Sequence, residues 1–210
     1  MHPPFLIYAL PRSRTAWLSA FLSYRDWTCY HEQAIYLRSL ADIENLLRRP
    51  NTGSAETVAA QAWPLIKHIL PEHKAIVIQR PVDDIMASVL SLGALYGIFY
   101  DTDHLYKVLK YGARCLDRIS NVNRTMTIRY DRLDDRETVR TLFEFCLPYR
   151  FDESWWLQLK DRNIQADIEG IFNYYKRNKQ ELDGFKSTLK RDLIRLTRAG
   201  ELRHAFRAYG

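Results

Sequence analysis

Hydrophobic positions along the chain follow two alternating patterns. Short runs with the length and residue types of buried strands occupy residues 5–10, 27–31, 74–79 and 125–130. Between these runs, apolar residues recur every three or four positions, which is typical of amphipathic helices. The pattern therefore predicts helices over residues 15–24, 35–48, 54–70, 81–92, 104–119 and 137–147, and helical periodicity without a clear strand after Asp152.

The third of these helices is bounded by polar and chain-breaking residues. Residues 50–53, with the sequence Pro-Asn-Thr-Gly, end the preceding helix. Ser54, with Glu56 in the first turn, is typical of a helix start. Pro64 is expected to kink or divide the helix that begins there.

Strands that alternate with helices indicate an α/β fold. We expect a three-layer sandwich with a central parallel sheet of about four to five strands, helices on both faces and a helical C-terminal part. The expected organisation is a single domain over residues 1–210, with an α/β core at 1–150 and a helical extension at 151–210. In such sheets ligands bind at the carboxyl ends of the strands, where the polar residues that follow each run are placed.

Composition limits the kind of partner. The net charge of +6 and the pI near 9.2 suit a polyanion, such as a phosphorylated nucleotide, a nucleic acid or an acidic glycan. The three cysteines show neither metal-site spacing nor a disulfide framework, which favours free thiols in a reducing compartment. No apolar run approaches the ~20 residues that span a bilayer, and the N-terminus does not have the pattern of a secretory signal. We expect a cytoplasmic protein that is not bound to a membrane.

The first strand run leads directly into a basic turn before a helix. A strand, a tight turn and a helix N-terminus form an anion site, because unpaired backbone N–H groups and the helix dipole meet there. The side chains of this turn and of the first helical turn are Arg12, Ser13, Arg14, Thr15, Ala16 and Trp17. The glycines and the lysine of the ATP-binding P-loop are absent.

This segment resembles the 5′-phosphosulfate loop of sulfotransferases that use PAPS (3′-phosphoadenosine 5′-phosphosulfate), which reads roughly Pro-Lys-Ser-Gly-Thr-Thr-Trp-Leu. The matching residues are Pro11, Ser13, Thr15, Trp17 and Leu18. Arg12 takes the place of the usual lysine, Arg14 that of the glycine and Ala16 that of the second threonine. The alternative reading is a basic strand-to-helix turn of an unrelated α/β protein.

A second segment, residues 76–88, is similar to the family's 3′-phosphate segment, in which a strand ends in arginine and a serine follows eight residues later. Arg80 and Ser88 have this spacing. An arginine fork and a nearby hydroxyl can together hold one phosphate. Without the resemblance, Arg80 would be read as an ion-pair partner of Asp83 or Asp84, and Ser88 as a small residue at a helix contact.

Residues 128–133 are similar to the family's Arg-Tyr-Glu-Asp-Leu turn. The resemblance implies that Tyr130 lies near the adenine and that Trp17 stacks on it. Both aromatic residues also fit a plain packing role, since Trp17 is in phase with the apolar face of its helix. The resemblance extends over residues 5 to 133 and does not include the family's C-terminal basic loop.

The second strand run ends in His31 and Glu32. Sulfuryl transfer needs a base beside the acceptor oxygen or nitrogen, and the resemblance implies that His or Glu serves in this role. Glu32 is the first candidate, because it follows the strand directly and we expect this strand to lie beside the one that carries the loop. His31 is the second candidate. Alternatively, Glu32 caps the next helix.

The resemblance implies a metal-independent sulfotransferase in which Arg12 and Glu32 or His31 act in catalysis. The residues implied to bind PAPS, and the product PAP (3′-phosphoadenosine 5′-phosphate), are Arg12, Ser13, Arg14, Thr15, Ala16, Trp17, Arg80, Ser88 and Tyr130. The expected acceptor is a small molecule or a glycan, bound by the loops at 96–104 and 149–156, and no nucleic acid is expected. The alternatives are a nucleotide-binding protein without sulfotransfer activity and a kinase-like phosphotransferase.

Overall fold

The computed structural model describes residues 2–37, 39–122 and 124–166, together with positions 170, 173–174, 177–178, 180–181, 183–184, 187 and 191. Within these residues, one sheet contains the strands β1 (Phe5–Tyr8), β2 (Thr28–His31), β3 (Thr52–Glu56), β4 (Lys74–Gln79) and β5 (Thr125–Arg129). All neighbouring pairs are parallel, in the order β2-β3-β1-β4-β5. The α/β class and the four predicted strands are confirmed.

Helices connect the strands, as parallel pairing requires. They are α1 (Thr15–Leu22), α2 (Leu40–Leu47), α3 (Trp63–Ile69), α4 (Val82–Leu95), α5 (Thr102–Ser120), α6 (Arg136–Cys146) and α7 (Glu153–Lys160). Short 3₁₀ turns occupy Gln33–Tyr36, Ala59–Ala62 and Tyr130–Arg132. No helix in the described part of the chain is both long and apolar enough to cross a membrane.

Two hydrophobic clusters lie on opposite faces of the sheet, because successive strand side chains point to opposite sides. On one face, Phe5 and Ile7 of β1 pack with α1, α6 and α7. On the other face, Leu6 and Tyr8 pack with α2, α3, α4 and α5. This arrangement is the expected three-layer sandwich. Each layer of helices holds the strand ends at a fixed position, and these ends carry the candidate site.

The helix predicted to start at Ser54 is wrong, because residues 52–56 form the buried strand β3. β3 lies between β2 and β1, so the expectation that β2 is the neighbour of β1 is also wrong. The five residues of β3 are all buried, and most are small. They lack the bulky β-branched and aromatic residues by which strands are recognised in a sequence. Helical structure begins only at Ala59 and Trp63.

The absence of a side chain at Gly53 leaves space for the ring of Phe5 on the adjacent strand. A Cβ at position 53 would lie 2.1 to 2.5 Å from three atoms of this ring. Phe5 is fully buried and stacks on Trp27, with ring centroids 5.9 Å apart. The ring therefore has no free volume to move into.

Gly53→Ala is expected to destabilise the fold by roughly 1–3 kcal/mol or more, the usual cost of overpacking a close-packed core. Chemical denaturation of the purified protein measures this change. Gly184→Ala is the matched control, since a Cβ added there meets nothing within 4 Å, and we expect this helical substitution to be neutral or slightly stabilising. Equal unfolding midpoints for the two variants would contradict the close packing of β1 against β3.

Candidate functional site

The β1–α1 loop has an unusual backbone. Arg12 and Arg14 both adopt left-handed conformations, with φ values of 64° and 60°, and Arg14 is the N-cap residue of α1. This conformation costs a non-glycine residue roughly 1–2 kcal/mol, whereas glycine adopts it freely. The family loop that this segment resembles has glycine at position 14. In this chain the backbone there keeps a conformation typical of glycine, although the side chain is that of arginine. Strain of this kind is concentrated at functional sites.

Residues from three separate segments meet beside this loop. Arg12 Nε donates a hydrogen bond to Ser88 Oγ of α4 at 3.1 Å. Arg80, at the end of β4, donates to the carbonyl of Arg12, and its guanidinium lies 4.2 Å from the ring centroid of Tyr130. The sequence-predicted residues of the first loop, of the β4 end and of the β5 end are thus brought together. No ion pair of Arg80 with Asp83 or Asp84 occurs among the described contacts.

Two buried donors in this group have no hydrogen-bond partner among the described residues. They are Ser13 Oγ and Arg80 Nε, and Ser13 is completely buried. A buried polar group without a partner costs about 1–3 kcal/mol, so natural structures keep few of them without a reason. Arg80 lines the space beside the loop, where an anion with several oxygen atoms would satisfy its Nε, whereas Ser13 Oγ lies beneath the loop surface. The donor chemistry of this group therefore fits a phosphorylated ligand.

A cavity of about 760 Å³ opens over the loop, and we call it the loop cavity. Its lining includes these predicted residues: Arg12, Arg14, Thr15, Ala16, Trp17, His31, Glu32, Arg80, Ser88 and Tyr130. Of the predicted site residues, Ser13 alone is absent from the lining, because it lies beneath the surface of the loop. The volume is within the usual range of small-molecule sites.

Trp17 borders the loop cavity, but most of its side chain is held in the protein core. It is 2% exposed, and its Nε1 donates to the carbonyl of Leu159 at 2.8 Å. One ring face stacks on Phe21 at 5.0 Å between centroids, and the Arg14 guanidinium lies 4.5 Å from the ring centroid. Stacking of adenine on Trp17 remains a prediction, and it would require Arg14 to move.

Arg14 ties the loop to two segments that sequence reasoning did not connect with it. Its Nη1 is 2.7 Å from Asp134 Oδ1, and its Nη2 donates to the Lys160 carbonyl at 3.4 Å. Arg12 differs, because both of its described side-chain partners, Ser88 and Gln165, are neutral. The charge of Arg14 is balanced by a carboxylate, and the charge of Arg12 is available to an anion.

His31 and Glu32 end the edge strand β2 on the far side of β3. His31 Nε2 lies 3.1 Å from Thr15 Oγ1, which connects it directly to the loop. Glu32 is the N-cap residue of the 3₁₀ turn that follows it, but its side chain makes no capping hydrogen bond. Its Oε1 instead accepts the N–H of Thr57 at 3.1 Å and lies 3.9 Å from His31 Nε2.

Burial shifts the titration of both residues. It raises the pKa of Glu32 above the usual value of 4.5 and lowers the pKa of His31 below 6.5, because desolvation penalises the charged form. Glu32 is therefore a stronger base than an ordinary carboxylate, and the His31 imidazole favours its neutral, proton-accepting form. Either group has the chemistry of a general base.

Glu56, at the end of β3, is a site residue that sequence reasoning missed. Ser54 Oγ donates to its Oε1 at 2.6 Å, and the N–H of Ala34 lies 3.2 Å from its Oε2. Burial, reinforced by the nearby Glu32, raises the pKa of Glu56 to about 8. The raised pKa favours the protonated form of Glu56, and its contact with the N–H of Ala34 fixes the turn that follows Glu32. The only signal in the sequence was an acidic residue at the end of a strand that was read as a helix.

Comparison with known proteins gives matches at the level of structure alone. No family model matches the sequence, and no curated protein matches it. A structure of the mouse sulfotransferase SULT7A1 complexed with PAP aligns over 97% of this chain and 88% of its own, at 12% identity and a TM-score of 0.58. The sulfotransferase domain from the curacin biosynthetic pathway aligns over 79% of this chain and 81% of its own, at 13% identity and a TM-score of 0.52.

The chain has the sulfotransferase fold. This confirms the fold that the loop and the β4 segment led us to expect. At such low identity the likeness is one of architecture, and it does not extend to the roles of individual site residues.

The two segments expected to bind the acceptor differ in their relation to the loop cavity. Residues 149–156 pack on the core, where Trp156 is 4% exposed and Phe151 contacts Phe143. The other segment, residues 96–104, contributes Tyr100 to the loop cavity. A second cavity also borders His31 and Glu32. Its other described lining residues are Tyr36, after β2, and Gly170, Asn173, Tyr174, Arg177 and Asn178 in the C-terminal segment.

Proposed function

We propose that this protein is a sulfotransferase that moves a sulfuryl group from PAPS to an acceptor hydroxyl or amine, in line and without a metal. The observation that carries the proposal is the pair of arginines at the loop cavity: Arg80, whose buried Nε has no partner among the described residues, and Arg12, whose described side-chain partners are neutral. This donor set suits a nucleotide with phosphate groups at both its 3′ and 5′ positions. The sulfotransferase fold, and the PAP bound to one structural neighbour, support it.

We assign to each residue the role that the family resemblance implies. Arg80 and Ser88 lie at the β4 end and on α4, and they hold the 3′-phosphate. The β1–α1 loop, with Arg12 and Ser13, surrounds the 5′-phosphate. PAPS supplies an activated sulfuryl group, so the protein has to position the acceptor, remove its proton and neutralise the charge on the leaving phosphate. Glu32, with His31 as the alternative, receives the proton.

PAP is expected to raise the melting temperature far more than AMP does at the same concentration, because only PAP carries a 3′-phosphate and binding stabilises the native state. Arg80→Ala is expected to remove most of this preference. The loss of one charge-assisted contact costs about 1.5–3 kcal/mol, which corresponds to roughly ten- to hundredfold in PAP affinity. Thermal shift and calorimetric titration with both nucleotides measure the effect.

AMP affinity serves as the internal control, since Arg80→Ala should reduce it much less. Arg150→Ala removes an exposed arginine outside the loop cavity, and we expect it to leave both affinities unchanged. Equal stabilisation by PAP and AMP would contradict the proposal that the loop cavity is a PAPS site. Tighter binding of ATP than of PAP would favour the kinase-like alternative.

A further inference from the structure

The second cavity, with a volume of about 480 Å³, shares two residues with the loop cavity. His31 and Glu32 line both. His31 contacts Thr15 of the loop on one side. A base has to lie beside the atom from which it takes a proton. A compound in the second cavity would therefore contact the same candidate bases that border the loop cavity.

The described residues that line the second cavity carry polar, charged or aromatic side chains, apart from Gly170. None of its described lining residues has an aliphatic side chain. Burial of apolar surface gains about 25 cal/mol per Å² only where apolar walls replace water. Among the described residues, such surface is supplied mainly by the rings of Tyr36 and Tyr174. These residues therefore favour recognition by hydrogen bonds, charge and aromatic contact.

Two tyrosines form an aromatic wall between the turn after β2 and the C-terminal segment. The rings of Tyr36 and Tyr174 lie edge to face, with centroids 4.7 Å apart, and Tyr36 is 45% exposed. Asn178 Nδ2 donates to the Tyr174 carbonyl at 2.9 Å, which ties the lining residue Asn178 to this wall. The wall offers ring surface to a compact polar molecule.

Arg177 gives the second cavity its charge. Among the described lining residues, it alone carries a permanent positive charge, and a guanidinium binds carboxylate, phosphate or sulfate through a fork of N–H donors. The acidic group in the lining, Glu32, has its pKa raised by burial. Within the described lining, Arg177 is therefore the group that attracts a negatively charged ligand.

We propose that the second cavity binds the acceptor, and that the acceptor is a small hydroxylated or amino compound bearing an anionic group held by Arg177. This inference rests on the proposed sulfotransferase function. The acceptor oxygen forms a bond to sulfur as the bond between sulfur and the 5′-phosphate oxygen breaks. Its proton passes to the candidate base, and PAP leaves with the bonding electrons.

The test compares matched compounds that differ in one charge: D-glucuronate with D-glucose, and D-glycerate with glycerol, with 2-naphthol as the apolar acceptor. Transfer of radiolabelled sulfur from PAPS gives kcat/KM for each. We expect the charged member of each pair to react about tenfold faster or more, the effect of one charge-assisted hydrogen bond. Arg177→Gln should bring each ratio close to one, and Arg177→Lys should keep part of it. Arg150→Gln should change nothing.

Binding is measured independently of turnover. Nuclear magnetic resonance titration should show D-glucuronate perturbing the Tyr36 ring signals more than D-glucose does, and this difference should disappear in Arg177→Gln. Equal perturbation by the two sugars, or a preference for 2-naphthol in the transfer assay, overturns the inference. If PAP is preferred to AMP in the same preparation, such a result leaves the proposed sulfotransferase function standing. If PAP is not preferred, the proposed function fails instead, and the titration still decides whether the second cavity binds anions.

Discussion

Replacing Arg12 with alanine is expected to lower turnover with PAPS by about 10²–10³-fold, the usual effect of removing one donor that stabilises transition-state charge. The guanidinium stays charged at every accessible pH, and its described partners, Ser88 and Gln165, are neutral. Negative charge collects on the 5′-phosphate as the bond to sulfur breaks. Arg12 is the residue of the loop whose charge is available to stabilise it.

PAP affinity should fall much less, by about tenfold, because bound PAP keeps the contacts of its 3′-phosphate and can adjust to the remaining donors. The transition state cannot adjust in this way, since its geometry is fixed. Steady-state kinetics and PAP titration separate the two effects. Arg12→Lys should retain activity, because lysine is the usual residue of the loop that this one resembles.

Arg25→Ala is the matched control for Arg12→Ala. Arg25 is an exposed arginine with a left-handed backbone, at φ 55°, and it does not line the loop cavity. We expect its turnover to equal that of the wild type. Normal turnover in Arg12→Ala would show that the loop only binds nucleotide, and it would favour the alternative of a nucleotide-binding protein without sulfotransfer activity.

The first loop and the β4 end could be predicted because their signals are local. A strand run followed by a polar turn specifies a strand end, and parallel strands place their ends at one edge of the sheet. Arg12, Arg80, Ser88 and Tyr130 therefore meet in the structure as the sequence led us to expect. The distance in sequence between Arg12 and Arg80 did not matter, since the sheet brings β1 and β4 side by side.

The strand β3 could not be predicted because its signal is not local. Thr52, Gly53 and Ser54 are suited to this strand by what packs against them, in particular by the ring of Phe5. In the sequence alone, small polar residues such as these are typical of a turn and of a helix start. Because β3 was not predicted, the position of Glu56 at a strand end was missed as well. The place of β2 was also wrong, since β3 lies between β2 and β1 and residue patterns do not specify the order of strands in a sheet.

Two side-chain contacts of the loop were missed for the same reason. They join Arg14 to Asp134 and Arg12 to Gln165. Each joins residues more than a hundred positions apart, and neither partner lies in a motif. Such contacts depend on how α6 and the segment after α7 pack over the loop. The C-terminal part of the sequence predicted helices, but helical periodicity does not specify which neighbour a helix contacts.

Glu32→Gln is expected to lower kcat/KM by about 10²–10⁴-fold, the usual contribution of a positioned general base. Glutamine has the size of glutamate, and its carbonyl oxygen can still accept the N–H of Thr57 that Glu32 binds at 3.1 Å. The fold and the PAP affinity should therefore remain close to those of the wild type. Steady-state kinetics, PAP titration and the melting temperature measure the three quantities on the same preparation.

The pH profile gives a second readout of the same substitution. Glu32 accepts a proton only when it is ionised, so kcat/KM should fall as the pH drops through its pKa. Burial raises this pKa above 4.5, which places the fall at a higher pH than for an exposed carboxylate. Glu32→Gln should remove this limb of the profile. A profile that keeps its acid limb in Glu32→Gln would assign the limb to another group.

His31→Ala separates the two candidate bases. His31 contacts Thr15 Oγ1, so its loss should disturb the loop and reduce activity by a smaller factor than Glu32→Gln does. If His31→Ala is inactive while Glu32→Gln retains activity, the base is His31, whose pKa burial lowers and whose imidazole would then accept the proton. If both variants fold and turn over normally, the proton goes to neither residue. His31 and Glu32 would then only shape the site, and another residue would have to act as the base.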